Sequence, residues 1–294
     1  MAPLISVGMP VFNGERYLAE TIDSILGQSC SDFELIISDN ASRDGTAAIC
    51  GDYARRDCRL RYFRQRRNIG VSRNYNFVFR RSLGKYFKWA AVGDLCEPVL
   101  LELCIRGLDA HPSAVLCCGQ TRYFGRMVGG DLAGASLLGL GSSRPSDRFI
   151  HLVDNVRINN AYGGVFRSNV LRGTRLEAPY PGGDIVLLAE LALYGPFLMI
   201  PEVLHHRRMS PENATPCRTM DMIWDMYWPG QKRRFLLPRC RMFLGHFGSL
   251  LRSRIPLDEK ARAIRDLTKR LYWSRRGLWR EAVDNGRRLL EIPD

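Results

Sequence analysis

The chain has 294 residues, and with 46% of them apolar it can bury a sizeable core, which excludes a disordered chain. Its formal charge of +13 is concentrated late, where about twenty Lys and Arg from Arg207 onward stand against about ten Asp and Glu. That excess points to an anionic partner, a phosphorylated substrate or an acidic membrane surface; no helix-turn-helix, zinc-finger or RNA-recognition pattern supports nucleic acid.

Nine scattered cysteines, an odd count without a CxxC pair, argue against a disulfide framework and a zinc site and suit reduced thiols. The opening "MAPLISVGMPVF" lacks the basic and long apolar regions of a signal peptide and reads as a first strand. No apolar run approaches the ~18 residues of a membrane span. The expected location is cytoplasmic, with a peripheral position at the inner face of the membrane as an extension of that reading.

From there, strand and helix signals alternate. "GERYLAETIDSILGQ" places Leu18, Ile22, Ile25 and Leu26 at helical spacing, "FELIISDN" is a short buried strand, "DGTAAICGDYARRD" a helix and "LRYFRQ" the next strand. A parallel α/β sheet follows, in which ligands gather beyond the carboxyl ends of the strands. The residues at those ends are Asn13, then Asp39 and Asn40, then Asn68 and Gly70, then Asp94 in "KWAAVGDLCEP". Each suits a turn taken singly, but four polar ends on one rim suit a ligand site better. There is no GxGxxG and no GxxxxGK[ST], so a bound nucleotide is held without a dinucleotide fingerprint or a P-loop.

Beyond Pro98 come a helix, "VLLELCIRGLDAHP", a strand, "AVLCCGQTRYF", and a Gly- and Ser-rich loop from Gly125 to Ser146. "DRFIHLVDN" resumes a helix, and "AYGGVFRSNVLRG" reads as a turn followed by a strand or short helix. "PYPGGDIVLLAELALYG" reads as an apolar helix opening at Asp184, and "FLMIPEVLHHRR" as a last strand followed by a cationic cluster. The remainder reads as helices. The expected division is an α/β domain over 1–210 and a basic, aromatic-rich helical extension over 211–294. In that extension Trp224, Tyr227, Trp228, Phe235, Leu236, Leu237, Phe243, Leu244 and Phe247 lie among Lys232, Arg233, Arg234, Arg239 and Arg241. Two readings stay open: an interfacial helix on anionic lipid, or aromatics packed on the α/β domain with the cations in water.

"SVGMPVFNGERYLAETIDSILGQSCSDFELIISDNASRDGT", "RRNIGVSRNYN" and "GKYFKWAAVGDLCEP" together resemble the family 2 glycosyltransferases of the GT-A fold, closely over residues 4–112 and more weakly to about Arg208. The resemblance implies a Rossmann-like, mixed but mainly parallel sheet flanked by helices, and an inverting transfer from a nucleoside-diphosphate sugar to a glycan, lipid-linked or small-molecule acceptor. It implies that Pro10, Phe12 and Asn13 line the base pocket, that Asp39 beside Asn40 accepts from the base edge, and that Arg67, Asn68 and Asn74 flank the nucleotide. The family's metal motif falls on Val92, Gly93 and Asp94, where relatives commonly carry three acids. Asp94 alone is a poor site for a hard cation, so a divalent ion, Mn or Mg, is expected to be weakly held, with Asp94 a single ligand or a ribose contact. Arg73 and the cluster His205, His206, Arg207 and Arg208 are then the cations available to the diphosphate. Asp184 lies where the family carries its base, and helix N-cap is the other role open to it. A non-catalytic relative that kept the fold is the alternative to an enzyme.

Overall fold

The structure, a computed structural model, describes residues 2–125, 140–155, 159–209, 219–231 and 237–290. Most of the expected Gly- and Ser-rich loop, the expected boundary at 210/211 and the stretch from Lys232 to Leu236 lie outside the described residues.

Four parallel strands open the fold: β1 (Ile5–Val11), β2 (Phe33–Asp39), β3 (Leu60–Arg64) and β4 (Tyr86–Trp89). Every residue of β1 and β2 is buried, which is why both read as apolar runs rather than as an alternation. Crossovers come from α1 (Glu15–Leu26), α2 (Thr46–Arg56) and α3 (Val71–Arg80). Then follow β5 (Leu95–Cys96), α4 (Leu100–Ala110), β6 (Leu116–Phe124), α5 (Pro145–Asn155), β7 (Val165–Arg167), α6 (Ser168–Arg172), α7 (Gly183–Tyr194) and β8 (Phe197–Arg208). The sheet runs β3-β2-β1-β4-β7-β6-β8-β5. β7 is antiparallel to both β4 and β6, and β5 is antiparallel to β8.

Register sets the rim. Val11 pairs with Asp39 and Asp39 with Arg64, so the first three strands end level. On the far edge Leu95 pairs with His206 and Cys96 with His205, which brings the Asp94 loop against β8.

Successive residues of β2 feed opposite apolar layers: Leu35 and Ile37 pack with α1, α2 and α4, and Ile36 with α3, α5 and α7. Helix α3 was hidden in the sequence because the first half of its buried face is polar, with Ser72, Asn74 and Asn76 all buried beside Val78 and Phe79.

The C-terminal helices are α8 (Met220–Tyr227), α9 (Pro238–Arg252) and α10 (Leu257–Leu290). Leu250, Ala263 and Leu267 share one core with Phe149 of α5 and Leu187 of α7, so the extension packs against the helices that flank the sheet. Glu259 fixes the contact by accepting from the Ser146 backbone N–H at 3.0 Å and from Arg144 at 2.8 Å.

The expected interfacial aromatics pack inward where they are described. Trp224 and Trp228 are buried with ring centroids 4.6 Å apart, Tyr180 lies against them, and Phe243 and Phe247 cover the main core. Leu244 is exposed. Burial of these rings leaves the packed reading in place for α8 and α9. Among the described residues no helix is long and apolar enough to cross a membrane.

Candidate active site

The Asp94 loop is a tight turn, closed by the Asp94 N–H donating to the Ala91 carbonyl at 3.2 Å. Gly93 sits at φ +98° and donates to the Thr21 hydroxyl at 2.9 Å. Only glycine holds that conformation without strain, so the missing acid at 93 reflects the backbone. Val92 packs in the apolar layer beneath β1. Asp94 remains at the mouth: Oδ1 accepts from the Arg208 N–H at 3.0 Å, and Oδ2 lies 3.4 Å from His205 Nε2.

The expected cationic cluster belongs to β8 itself, and strand alternation takes it apart. His205 points inward, with Nδ1 3.4 Å from the Thr121 hydroxyl, and a Cβ on Gly163 would lie 2.9 Å from its ring. Burial holds the His205 pKa below the ordinary imidazole value even though Asp94 pulls the other way. His206 turns to the opposite face and meets Glu97 at 2.6 Å. Arg208 donates to the Gly93 carbonyl at 3.0 Å, pairs with Glu20 and lies over the Tyr17 and Phe124 rings. Arg207 alone presents a charge on the His205 side, 3.4 Å from Asn160 Oδ1. A second cation sits beneath: Lys88 is fully buried in β4, its ammonium donating to the carbonyls of Gly163 and Trp89.

Among the described residues no group of three His, Cys, Asp or Glu gathers to hold a metal. Asp94 and His205 are two donors, and one Asp94 oxygen is already engaged. A hard divalent ion takes six or more oxygen ligands, so this donor set does not by itself make a metal site.

Across the mouth, α7 carries Asp184 in its first turn. Its N-cap is Gly182 at φ +87° with no side-chain cap bond, so Asp184 is not the cap. Its Oδ2 accepts from Asn159 Nδ2 at 2.9 Å. Behind it Glu177 is buried, accepting from the Ser72 hydroxyl at 2.7 Å and the Tyr162 hydroxyl at 2.9 Å. Burial first, and the Asp184 charge second, push the Glu177 pKa up to about 7. The Tyr162 ring stacks on Trp89 at 4.6 Å. Burial and then Glu177 raise the Tyr75 phenol, which also feels Asp94, Arg207 and Asp184, so one ring stands within range of both sides of the site.

The residues expected at the nucleotide end form a bonded rim. Pro10 is buried in β1, Phe12 and Asn13 are exposed, and Asn13 Oδ1 accepts from the Arg43 N–H at 2.9 Å. Asn40 Nδ2 donates to Asn68 Oδ1 at 2.8 Å, tying two strand-end loops together. Asp39 is fully buried: Oδ1 takes the Ser42 N–H at 2.8 Å and Oδ2 the Tyr62 hydroxyl at 3.0 Å, with Arg64 3.5 Å away. Its carboxylate is closed over by these partners and braces the rim. Asn74 is likewise buried, bonded twice to Ser38. Arg67 is exposed, and Arg73 projects from α3 into a separate cleft.

Sequence reasoning missed Lys88, Asn159, Asn160, Tyr162 and Glu177. The lysine inside the apolar strand "YFKW" and the Asn-Asn pair before "AYGG" were the available signals.

The fold resembles that of S. aureus TarS (residues 1–349) solved with UDP, at TM-score 0.64 and 16% identity over 94% of this chain and 73% of that one. It also resembles the mannosyltransferase PcManGT of Pyrobaculum calidifontis solved with GDP-Man and Mn2+, at TM-score 0.58 and 15% identity over 100% of this chain and 77% of that one. An uncharacterized glycosyltransferase of Rickettsia typhi is 32% identical over 40% of this chain and 36% of its own length. The uncharacterized glycosyltransferase EpsJ of Bacillus subtilis is 30% identical over 40% of this chain and 34% of its own. The matched part is thus about a third of these relatives. The model of glycosyl transferase family 2 matches residues 6–161, more than half of the chain, and the sheet has the mixed, mainly parallel GT-A form. The chain belongs to glycosyl transferase family 2.

Proposed function

We propose that the protein transfers a sugar, with inversion at the anomeric carbon, from a UDP-, GDP- or dTDP-sugar to a hydroxyl of a glycan, lipid-linked or small-molecule acceptor. The observation that carries this reading is that Asp184, held by Asn159, and Asp94 and Arg207 all come within electrostatic range of one ring, Tyr75. In the step we assign, Asp184 takes the acceptor proton as that oxygen attacks the anomeric carbon, and the bond to the diphosphate oxygen breaks on the opposite face. The charge that develops on the diphosphate falls in the field of Arg207 and the buried Lys88, where a low-dielectric setting makes a fixed cation effective. A divalent ion would supply Lewis-acid help to the leaving phosphate only if further ligands completed the pair Asp94 and His205. Asn13, Asn40 and Asn68 form the rim that receives the nucleoside. All described cysteines are free, which supports the cytoplasmic reading.

Calorimetric titration with UDP, GDP and dTDP, with and without Mn2+, tests the first step, and failure to bind any of them rejects the reading. The turn that excludes an acid at 93 is the observation in favour of the second reading, a binding relative without turnover. Product from any nucleotide sugar in a donor panel removes that alternative.

A further inference from the structure

Beside the site, α3, the segment from Arg175 to Tyr180, α7 and α9 enclose a cleft of about 770 Å³. Its floor is apolar, built by Ile69, Phe77, Leu176, Pro179 and Val186. A second hollow of about 390 Å³ adjoins it, sharing Arg80 and Arg175 and adding Arg172. Arg73, Arg80, Arg172 and Arg175 are all exposed, and among the described residues none of them is in an ion pair. The two acids that reach the cleft are already engaged. Glu190 is buried against Arg252 at 2.7 Å, with its charge also felt by Arg175, and Glu177 turns its carboxyl toward Ser72 and Tyr162. These guanidinium groups line the two adjoining hollows, and a diphosphate can accept two-point bonds from them.

The cleft also shares a wall with the site. Asn76 pins the Glu177 backbone with two bonds, of 3.0 and 2.8 Å, and the same segment leads through Tyr180 and Gly182 to Asp184. A molecule seated in the cleft therefore lies beside the segment that delivers the base.

We propose that this cleft binds the acceptor as a lipid-linked diphosphate, with its phosphates on Arg80, Arg172 and Arg175 and its first hydrocarbon units on the floor of Phe77, Leu176 and Val186. The assignment rests on the glycosyl-transfer reading for the word acceptor, and on the cleft alone for the ligand's chemistry. Two observations favour a lipid over a soluble phosphate polymer. The floor is apolar and of a volume suited to a small amphiphile. Helix α10 exposes Tyr272, Trp273 and Trp279 among Arg275, Arg276 and Arg280, a composition that rests at a lipid headgroup layer.

The test is calorimetry on the full chain with farnesyl diphosphate as probe, and with inorganic pyrophosphate and farnesol as separate arms. Farnesyl diphosphate is expected to bind at least about tenfold more tightly than either fragment. Arg80→Glu with Arg175→Glu is expected to weaken it about tenfold or more, and the single exposed change Arg172→Ala about threefold, with nucleoside-diphosphate binding unaltered. Inorganic pyrophosphate binding as well as the lipid probe would overturn the lipid assignment in favour of a phosphate-bearing polymer. Displacement of the probe by UDP or GDP, or unchanged affinity in Arg172→Ala, would overturn the cleft itself. A chain that binds the probe but no nucleoside diphosphate keeps the cleft and loses the transferase reading.

Discussion

Asn159 donates its side-chain N–H to Asp184 across 2.9 Å, joining the segment before β7 to the first turn of α7. The bond fixes the carboxylate that the proposed mechanism uses as base, and it leaves Asp184 Oδ1 for the acceptor. Asn159→Ala is therefore expected to lower turnover about tenfold while leaving nucleoside-diphosphate affinity unchanged. Steady-state kinetics paired with calorimetry separates the two effects. An equal fall in affinity and turnover would show that Asn159 shapes the donor pocket instead.

The turn at Gly93 makes a second prediction. Its φ of +98° disfavours any side chain, so Gly93→Asp is expected to cost about 1–3 kcal/mol of stability in denaturant unfolding rather than to restore a metal site. Mn2+ titrated into the wild-type chain without nucleotide is expected to bind at about millimolar strength, since Asp94 and His205 offer few ligands. Micromolar Mn2+ binding to the chain alone would mean that further ligands complete an ordinary site.

Glu177 gives a signed dependence on pH. Its folded pKa is raised from 4.5 to about 7, so the fold prefers the neutral acid. The stability this contributes is fully present below the ordinary carboxyl value and is lost as pH rises through about 7, amounting to about 3 kcal/mol. Glu177→Gln removes the dependence, so the stability of the variant relative to wild type should climb across that window and level off above it. Parallel curves for the two proteins in urea melts between those pH values would contradict this.

His246 acts in the opposite sense. It is buried in α9 against the Phe149 ring at 5.7 Å, its Nδ1 has no hydrogen-bond partner among the described residues, and burial lowers its pKa from 6.5 to about 4. A histidine kept neutral by the fold contributes stability that is present above its ordinary pKa and lost as pH falls toward about 4. His246→Phe is expected to flatten the acid side of the stability profile, by up to about 3 kcal/mol at the low end. An unchanged acid slope in the variant would place the acid sensitivity elsewhere.

Much of the fold was legible because β1 and β2 are buried on both faces and α1 repeats Leu18, Ile22 and Ile25 on one side. Helix α3 was not, since its buried turns carry Ser72, Asn74 and Asn76, whose partners Glu177 and Ser38 lie far away in sequence. The acids at the strand ends could be read by position, but their accessibility could not. Asp39 is closed over by Tyr62 and Arg64 from the neighbouring strand, which no local pattern reveals. The His205 to Arg208 run looked like one cationic block and is split by strand alternation, a consequence of β8 extending to Arg208. The partner of Asp184 was invisible for the same reason as that of Asn76: the bond spans a loop and a helix start with no shared periodicity.

The central claim is that Asp184 is the base of a sugar transfer whose donor is held elsewhere on the rim. The most direct measurement is single-turnover transfer from a panel of UDP-, GDP- and dTDP-sugars by the wild-type chain and by Asp184→Asn, with nucleoside-diphosphate affinity measured in parallel. The account expects product from at least one donor with the wild type, a loss of about a hundredfold or more in Asp184→Asn, and donor affinities within about twofold of each other. Transfer by Asp184→Asn at the wild-type rate would contradict it.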